Sequence, residues 1–347
     1  LKNFGYRLLK VSIKTALHLY FGKIQVRGLE QVPKKGPVLF LPNHQNALMD
    51  VLLIAVACNR KPFFLTRSDV FKITVFKRFF SFLLMIPIYR IRDGRATLRN
   101  NQAVFDHCAD LFGQGNAIVM FPEANHNLKR RVRNLSKGFT RVLFNAMAKA
   151  PDRDIYMVPV GLNYRQAETF PDEATVYYGS PILANDFLKD NDIPGSVMAA
   201  KKVVSNALKT LTTHIEDEEN YGAIVDALQK DGIDFIDPMA ANAAQKNLDI
   251  HRKRSTVPKK SSKLMKWVFY LLNFPVLMLW RLWAKPKVWE IEFMSTLRFA
   301  FAMAVYPIYY TVLAGVAYLL FGLMGAVIWV LATFLFNLAY VKFYRGG

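Results

Sequence analysis

The sequence predicts an α/β domain with a mainly parallel sheet flanked by helices, preceded by an amphipathic helix and followed by a transmembrane helical hairpin. Three observations carry this. Between about residues 23 and 180, short β-branched or aromatic runs alternate with longer stretches of helical periodicity. Residues 1–22 set Leu9, Ile13, Leu17 and Tyr20 on one helical face, with Lys2, Arg7, Lys10 and Lys14 around it. Near the C-terminus, 299–319 and 320–341 are each uncharged, and each is long enough to cross a bilayer.

Each element follows from local pattern. The N-terminal helix fits either a bilayer interface or the flank of a domain. Strands are expected at 24–26, 38–42, 63–66, 86–89, 117–121, 156–162 and 175–178, and helices at 50–58, 70–84, 95–114 and 136–149. Ligands of such a sheet bind at the carboxyl ends of its strands. A polar helical stretch at 195–230 then covers one side. The run "HRKRSTVPKKSSKLMK" at 251–266 marks a change of composition, and the apolar segment after it, 267–280, contains Pro275. At about 14 residues that segment is short for a span. It reads as interfacial or re-entrant, with Trp267, Trp280, Arg281 and Trp283 at its borders. The expected division is 1–22 interfacial helix, 23–250 α/β domain, 251–296 basic linker and interfacial segment, and 297–347 hairpin.

Charge supports this arrangement. The chain of 347 residues has a formal charge of +20 together with 52% hydrophobic and 14% aromatic residues. A soluble nucleic-acid binder would spread its charge over a less apolar chain, so the acidic partner expected here is a lipid bilayer. With two spans, the basic run, Lys285, Lys287, Arg298, Lys342 and Arg345 share one side, and that side is expected to be cytoplasmic. Cys58 and Cys108 are the only cysteines and lack metal-type spacing. That excludes a disulfide framework and a zinc site and fits a reducing compartment. No signal peptide is visible, and a start at Leu1 leaves room for a missing N-terminal piece.

Chemistry enters at "NHQNALMD", residues 43–50, where a strand gives way to a helix. A His at a strand end with a carboxylate one helical turn away has the makings of a general base. Asp50 accepts from one ring nitrogen, and the other is left to take a proton from a hydroxyl. No G-x-S-x-G elbow occurs, so His44 is expected to activate a substrate rather than an enzyme nucleophile. A structural His–Asp pair is the competing reading. His18, His107, His214 and His251 show no partner spacing.

Downstream stand "IPIYR" at 86–90, "VMFPEANHNLKRR" at 119–131, "LSKGFTRV" at 135–142 and "MVPVGLNY" at 157–164. With the opening motif, in this order, they resemble the motifs of the glycerolipid acyltransferase family, which includes 1-acylglycerol-3-phosphate and glycerol-3-phosphate acyltransferases. The resemblance covers about residues 23–180 and implies that family's α/β fold. It departs from the family twice. Five residues separate His44 from Asp50 where four are usual, as in fungal-type glycerol-3-phosphate acyltransferases, so the turn must differ locally. In the third motif Ala124 stands at the usual Gly and His126 at the usual Arg.

The resemblance implies direct acyl transfer from acyl-CoA or acyl-carrier protein, the co-substrates, to a membrane lipid acceptor, with no metal and no other cofactor. His44 and Asp50 are the expected catalytic residues, and backbone N–H groups near 44–47 or the third motif are the expected oxyanion donors. Arg90 corresponds to the phosphate ligand of the second motif, and Lys137 to the basic position after the third. Lys129, Arg130 and Arg131 stand as replacements for the missing Arg or as a solvated, lipid-facing loop. Glu123 matches the motif acid, as a substrate ligand or as support for the loop. The leading acceptor is lysophosphatidic acid, giving phosphatidic acid. Glycerol-3-phosphate, a lyso-aminolipid hydroxyl, and a non-catalytic membrane-anchored lipid-binding scaffold are the alternatives.

Overall fold

The computed structural model describes residues 2–68, 83–89, 100–189, 191–246, 248–249 and 263–344. Its centre is β2 (Val38–Pro42), buried along its whole length. An uninterrupted apolar run suits a strand with both faces covered. Alternation sends Val38 and Phe40 into one core and Leu39 and Leu41 into the other.

Eight strands form one mixed sheet: β1 (Phe21–Arg27), β2, β3 (Phe63–Arg67), β4 (Met85–Ile88), β5 (Ala117–Val119), β6 (Tyr156–Tyr164), β7 (Asp172–Tyr178) and β8 (Ile182–Leu183). Their order is β1-β7-β6-β2-β5-β3-β4, with β8 against β6. The pairs involving β2 and β3 are parallel, as is β1 with β7, whereas β6 runs antiparallel to β7 and β8. After β2 the chain moves to one side of it for β3 and β4 and later to the other for β6, so the switch point lies at the carboxyl end of β2.

Helices cover both faces. On one side α3 (Asn100–Gly113), α4 (Gly138–Lys149) and α5 (Ile193–Leu211) bury Phe112, Phe139 and Leu208. On the other, α1 (Lys2–Tyr20) and α2 (Ala47–Ala57) bury Leu17, Met49 and Leu53, joined there by Phe299 from the C-terminal region. Leu17 and Tyr20, from the expected inward face of α1, are buried, while Phe4, Leu8 and Val11 form an exposed apolar stripe on another face. Packing on the domain and presenting an apolar surface are thus properties of one helix.

The expected helical stretch 195–230 is instead α5 and α6 (Tyr221–Lys230) with a break between them, followed by α7 (Pro238–Lys246). Side-chain bonds hold the break: His214 Nδ1 accepts from the Val132 N–H at 2.9 Å, and Asn242 Oδ1 accepts from the His214 N–H at 2.9 Å. Strand β8 was not expected, and β5 stops at Val119, two residues early. The helix expected at 70–84 lies outside the described residues except for 83–84, which form a turn, and of that at 95–114 the first five residues lie outside.

In the C-terminal region, α8 (Lys263–Leu272) and α9 (Phe274–Leu279) belong to two apolar helical segments bent by 83°. At the bend, Asn273 and Asn337 exchange amide hydrogen bonds of 2.7 and 3.0 Å. Then α10 (Met294–Phe343) has non-helical backbone at Gly322, φ 71° and ψ −176°. Because Asn337 Nδ2 donates to the Tyr310 hydroxyl at 3.0 Å, its two limbs lie side by side. The helical stretch Ile291–Phe343 is long and apolar enough to cross a membrane.

Candidate active site

His44 stands two residues beyond β2, where backbone and side chain are fixed separately. Its ring Nδ1 is 2.8 Å from Asp50 Oδ2. The same oxygen accepts the backbone N–H groups of Gln45 and Asn46, each at 2.9 Å, and Oδ1 accepts the Tyr164 hydroxyl at 2.5 Å. Asp50 is fully buried, so these four donors replace water around its carboxylate. Burial, and then the adjacent Asp50 charge, push the Tyr164 phenol well above its ordinary value, which keeps it a donor. Asp50 sits in the first turn of α2, near the positive end of the helix dipole. The extra residue between His44 and Asp50 is taken up in the turn that ends at Ala47, whose φ is 39°.

The His44 backbone is clamped from the third motif. Glu123 Oε2 accepts its N–H at 3.3 Å, and its carbonyl accepts from Asn127 N–H at 3.1 Å and Arg133 Nη2 at 3.2 Å. Arg133 also pairs with Glu123 and donates to the Asn125 carbonyl at 2.5 Å. Ala124, at the motif's glycine position, has φ 64°. An L-residue there carries a conformational cost of about 1–2 kcal/mol, which glycine would avoid. The N–H groups of 44, 45 and 46 all bond to carboxylates, so these three are not the oxyanion donors expected from sequence.

The ring of His44 stacks on Phe121, centroids 4.0 Å apart, and meets His126 edge-on at 5.5 Å. His126 Nε2 bonds Glu290 Oε2 at 2.7 Å, and its ring packs edge-on against Phe293 at 5.1 Å. The segment before α10 therefore reaches the His44 neighbourhood. Among the described residues, His126, Glu290 and Glu292 form the one group of three whose ligand atoms lie close enough together to hold a metal ion.

The other sequence candidates lie apart. Arg90 is outside the described residues. The side chain of Asn101 bonds the Tyr89 N–H and carbonyl at 3.0 and 2.8 Å, and Lys137 lines a groove with Asn101, so Lys137 neighbours the segment leading to Arg90. Lys129 is exposed, over the ring of Tyr221. Arg130 donates to the carbonyls of Tyr164 and Arg165 at 2.8 and 2.6 Å and lies over Phe235. Arg131 pairs with Glu218 at 2.9 Å. Among the described residues the cation beside His44 is Arg133, which does not stand among the sequence candidates. Its position two residues past the expected basic cluster was the available signal.

Residues 23–163 match the family described as Acyltransferase. Over 121 residues the chain is 28% identical to "Glycerol-3-phosphate O-acyltransferase 1" of Saccharomyces cerevisiae, a match that covers 33% of this chain and only 15% of the yeast protein. Among solved structures, the crystal structure of the 1-acyl-sn-glycerophosphate (LPA) acyltransferase PlsC from Thermotoga maritima is similar at 16% identity and a TM-score of 0.40, covering 60% of this chain and 82% of that one. The His44–Asp50 pair, the Glu123 loop and Tyr164 all fall in or beside residues 23–163, the part of the chain that is similar to the Acyltransferase family.

Proposed function

We propose that the chain is a membrane-bound O-acyltransferase that moves a fatty acyl group from an acyl thioester to the free hydroxyl of lysophosphatidic acid, giving phosphatidic acid. The observation that carries this is the His44–Asp50 contact of 2.8 Å at the carboxyl end of β2. Asp50 takes the Nδ1 proton as acceptor, which leaves Nε2 unprotonated and able to act as base. As Nε2 withdraws the hydroxyl proton, the oxygen attacks the thioester carbonyl. The C–S bond then breaks, and the proton leaves with the thiolate, whose ordinary pKa of about 8.5 makes it a good leaving group. Glu123 and Arg133 act as positioning residues, because they hold the backbone of His44. Phosphate recognition is assigned to Arg90 and Lys137.

Anchoring follows the same reading. The two limbs of α10 form a transmembrane hairpin, the bent segment 263–287 is re-entrant or interfacial, and the catalytic domain lies on the cytoplasmic face where the basic residues gather. A second acceptor, glycerol-3-phosphate, is supported by the five-residue spacing of His44 and Asp50 and by the similarity to the yeast protein. The deciding experiment follows thiol release and lipid product from palmitoyl-CoA and from acyl-carrier protein, with lysophosphatidic acid, glycerol-3-phosphate or a lyso-aminolipid as acceptor. Phosphatidic acid formation outpacing the other products supports the leading reading. A faster reaction with glycerol-3-phosphate transfers the assignment to the sn-1 step, and thiol release only with the aminolipid overturns both.

A further inference from the structure

Between α1 and the C-terminal helices lies a cavity of about 600 Å³, within the range of ligand-binding pockets. Its body is apolar, with Leu19, Phe269, Leu277, Phe301, Met303 and Leu338 among its walls. Three cations line it as well: Arg281, Lys285 and Arg298. No carboxylate among the described residues pairs with any of them. Arg298 is the most telling. One guanidinium nitrogen donates to the Glu168 carbonyl at 3.1 Å, while the other, Nη1, is buried without a hydrogen-bond partner. A buried unpartnered guanidinium nitrogen is costly unless an anion meets it.

An apolar chamber bordered by exposed Arg281 and Lys285 and by Arg298, none paired with a carboxylate among the described residues, matches one kind of molecule. The geometry points to a site for a single phosphate-bearing lipid, its acyl chain in the chamber and its phosphate on Arg281, Lys285 and Arg298. Arg298 and Trp280 form a cation–π pair at 5.7 Å, and with Nη2 on the Glu168 carbonyl it is Nη1 that remains for a phosphate oxygen. The cavity adjoins the candidate active site through one loop. The carbonyl of Glu168 accepts from Arg298, and that of Ala167 accepts from Ser295 and, at 3.2 Å, from Asn46 Nδ2. Asn46 in turn gives its backbone N–H to Asp50.

The site stands apart from the catalytic reading, so the two can fail separately. The full-length protein in detergent is titrated with lysophosphatidic acid, phosphatidylglycerol, phosphatidylcholine and monoacylglycerol, and bound lipid is counted by native mass spectrometry. Wild type and His44→Ala should bind one phosphatidylglycerol alike. The Arg281→Gln/Lys285→Gln double variant, which removes no hydrogen bond seen among the described residues, should weaken lysophosphatidic acid or phosphatidylglycerol at least tenfold, with monoacylglycerol unchanged. Ala302→Trp, which fills the chamber, should reduce all of them. A preference for lysophosphatidic acid over phosphatidylglycerol makes the site a reservoir for the acyl acceptor, and equal affinity makes it a site for bulk anionic lipid. Phosphatidylglycerol binding that survives the double variant, or that equals monoacylglycerol binding in wild type, overturns the inference.

Discussion

Asp50 receives four hydrogen bonds without touching solvent, so each neighbour has a separable effect. Among the described residues Tyr164 is the one donor to Oδ1. Tyr164→Phe leaves that oxygen buried and unpaired, and stability should fall by about 1–3 kcal/mol. The freer carboxylate should lower kcat about tenfold, an effect of ~1.4 kcal/mol on the barrier, with KM for the acyl donor unchanged. Unchanged stability together with unchanged kcat would contradict the role given to the phenol. His44 and Asp50 were legible in the sequence because six positions of one turn join them. Tyr164 lies 114 residues from Asp50, and Arg133 lies 89 from the carbonyl it holds. Only the parallel packing of β2, β5 and β6 brings such groups together, and no local pattern records it. His126 is a related case. Sequence flagged it as a departure, and its partner Glu290, 164 residues away, emerges only once the C-terminal segment folds back.

Element by element, the central strands were readable because buried strands are continuous apolar runs, as in Val38–Pro42 and 156–162. The break after Leu211 was not, since the side chain of Asn242 satisfies its backbone groups from a distance. Two expectations belong here. A Cβ at Gly161 on β6 would lie 2.1 Å from the carbonyl oxygen of Leu211, a backbone atom at the end of α5. Gly161→Ala should therefore cost at least about 2 kcal/mol in chemical denaturation, and a loss below half of that would show that α5 yields freely. At the start of β7, burial raises the Asp172 carboxyl from 3.8 to about 7, against the partial opposition of the Gln166 N–H and of Arg130 and Arg165. A folded-state pKa above the unfolded one favours folding most fully below pH 3.8. That contribution fades as pH rises and is lost above about 7. Asp172→Asn should flatten this slope and raise the melting temperature at pH 8, where the wild type holds a buried charge. A higher wild-type than variant melting temperature at pH 8 would reverse the sign.

On the scale of the whole molecule, the C-terminal helices are part of the fold rather than a detachable anchor. Phe299 is in the core with Leu17 and Tyr20, and Lys342 donates to the carbonyls of His18, Phe21 and Gly22 at 2.7, 2.9 and 3.3 Å, closing the C-terminal end of α1. If the limbs of α10 cross the bilayer, washing membranes with alkaline carbonate leaves the full chain in the pellet, whereas release into the supernatant would mark a peripheral protein. The sequence made the apolar limbs plain, through two uncharged stretches meeting near Gly322. It gave no sign that their bases would pack on the catalytic domain, because those contacts pair residues more than 300 positions apart, as with Lys342 and His18. The central claim is that His44 is the base. Its most direct test compares acceptor-dependent thiol release from palmitoyl-CoA by wild type and His44→Ala, at equal bound lipid. The account predicts a loss of about 10²–10⁴-fold in the variant. Equal rates in the two proteins would contradict it and leave "NHQNALMD" a structural turn.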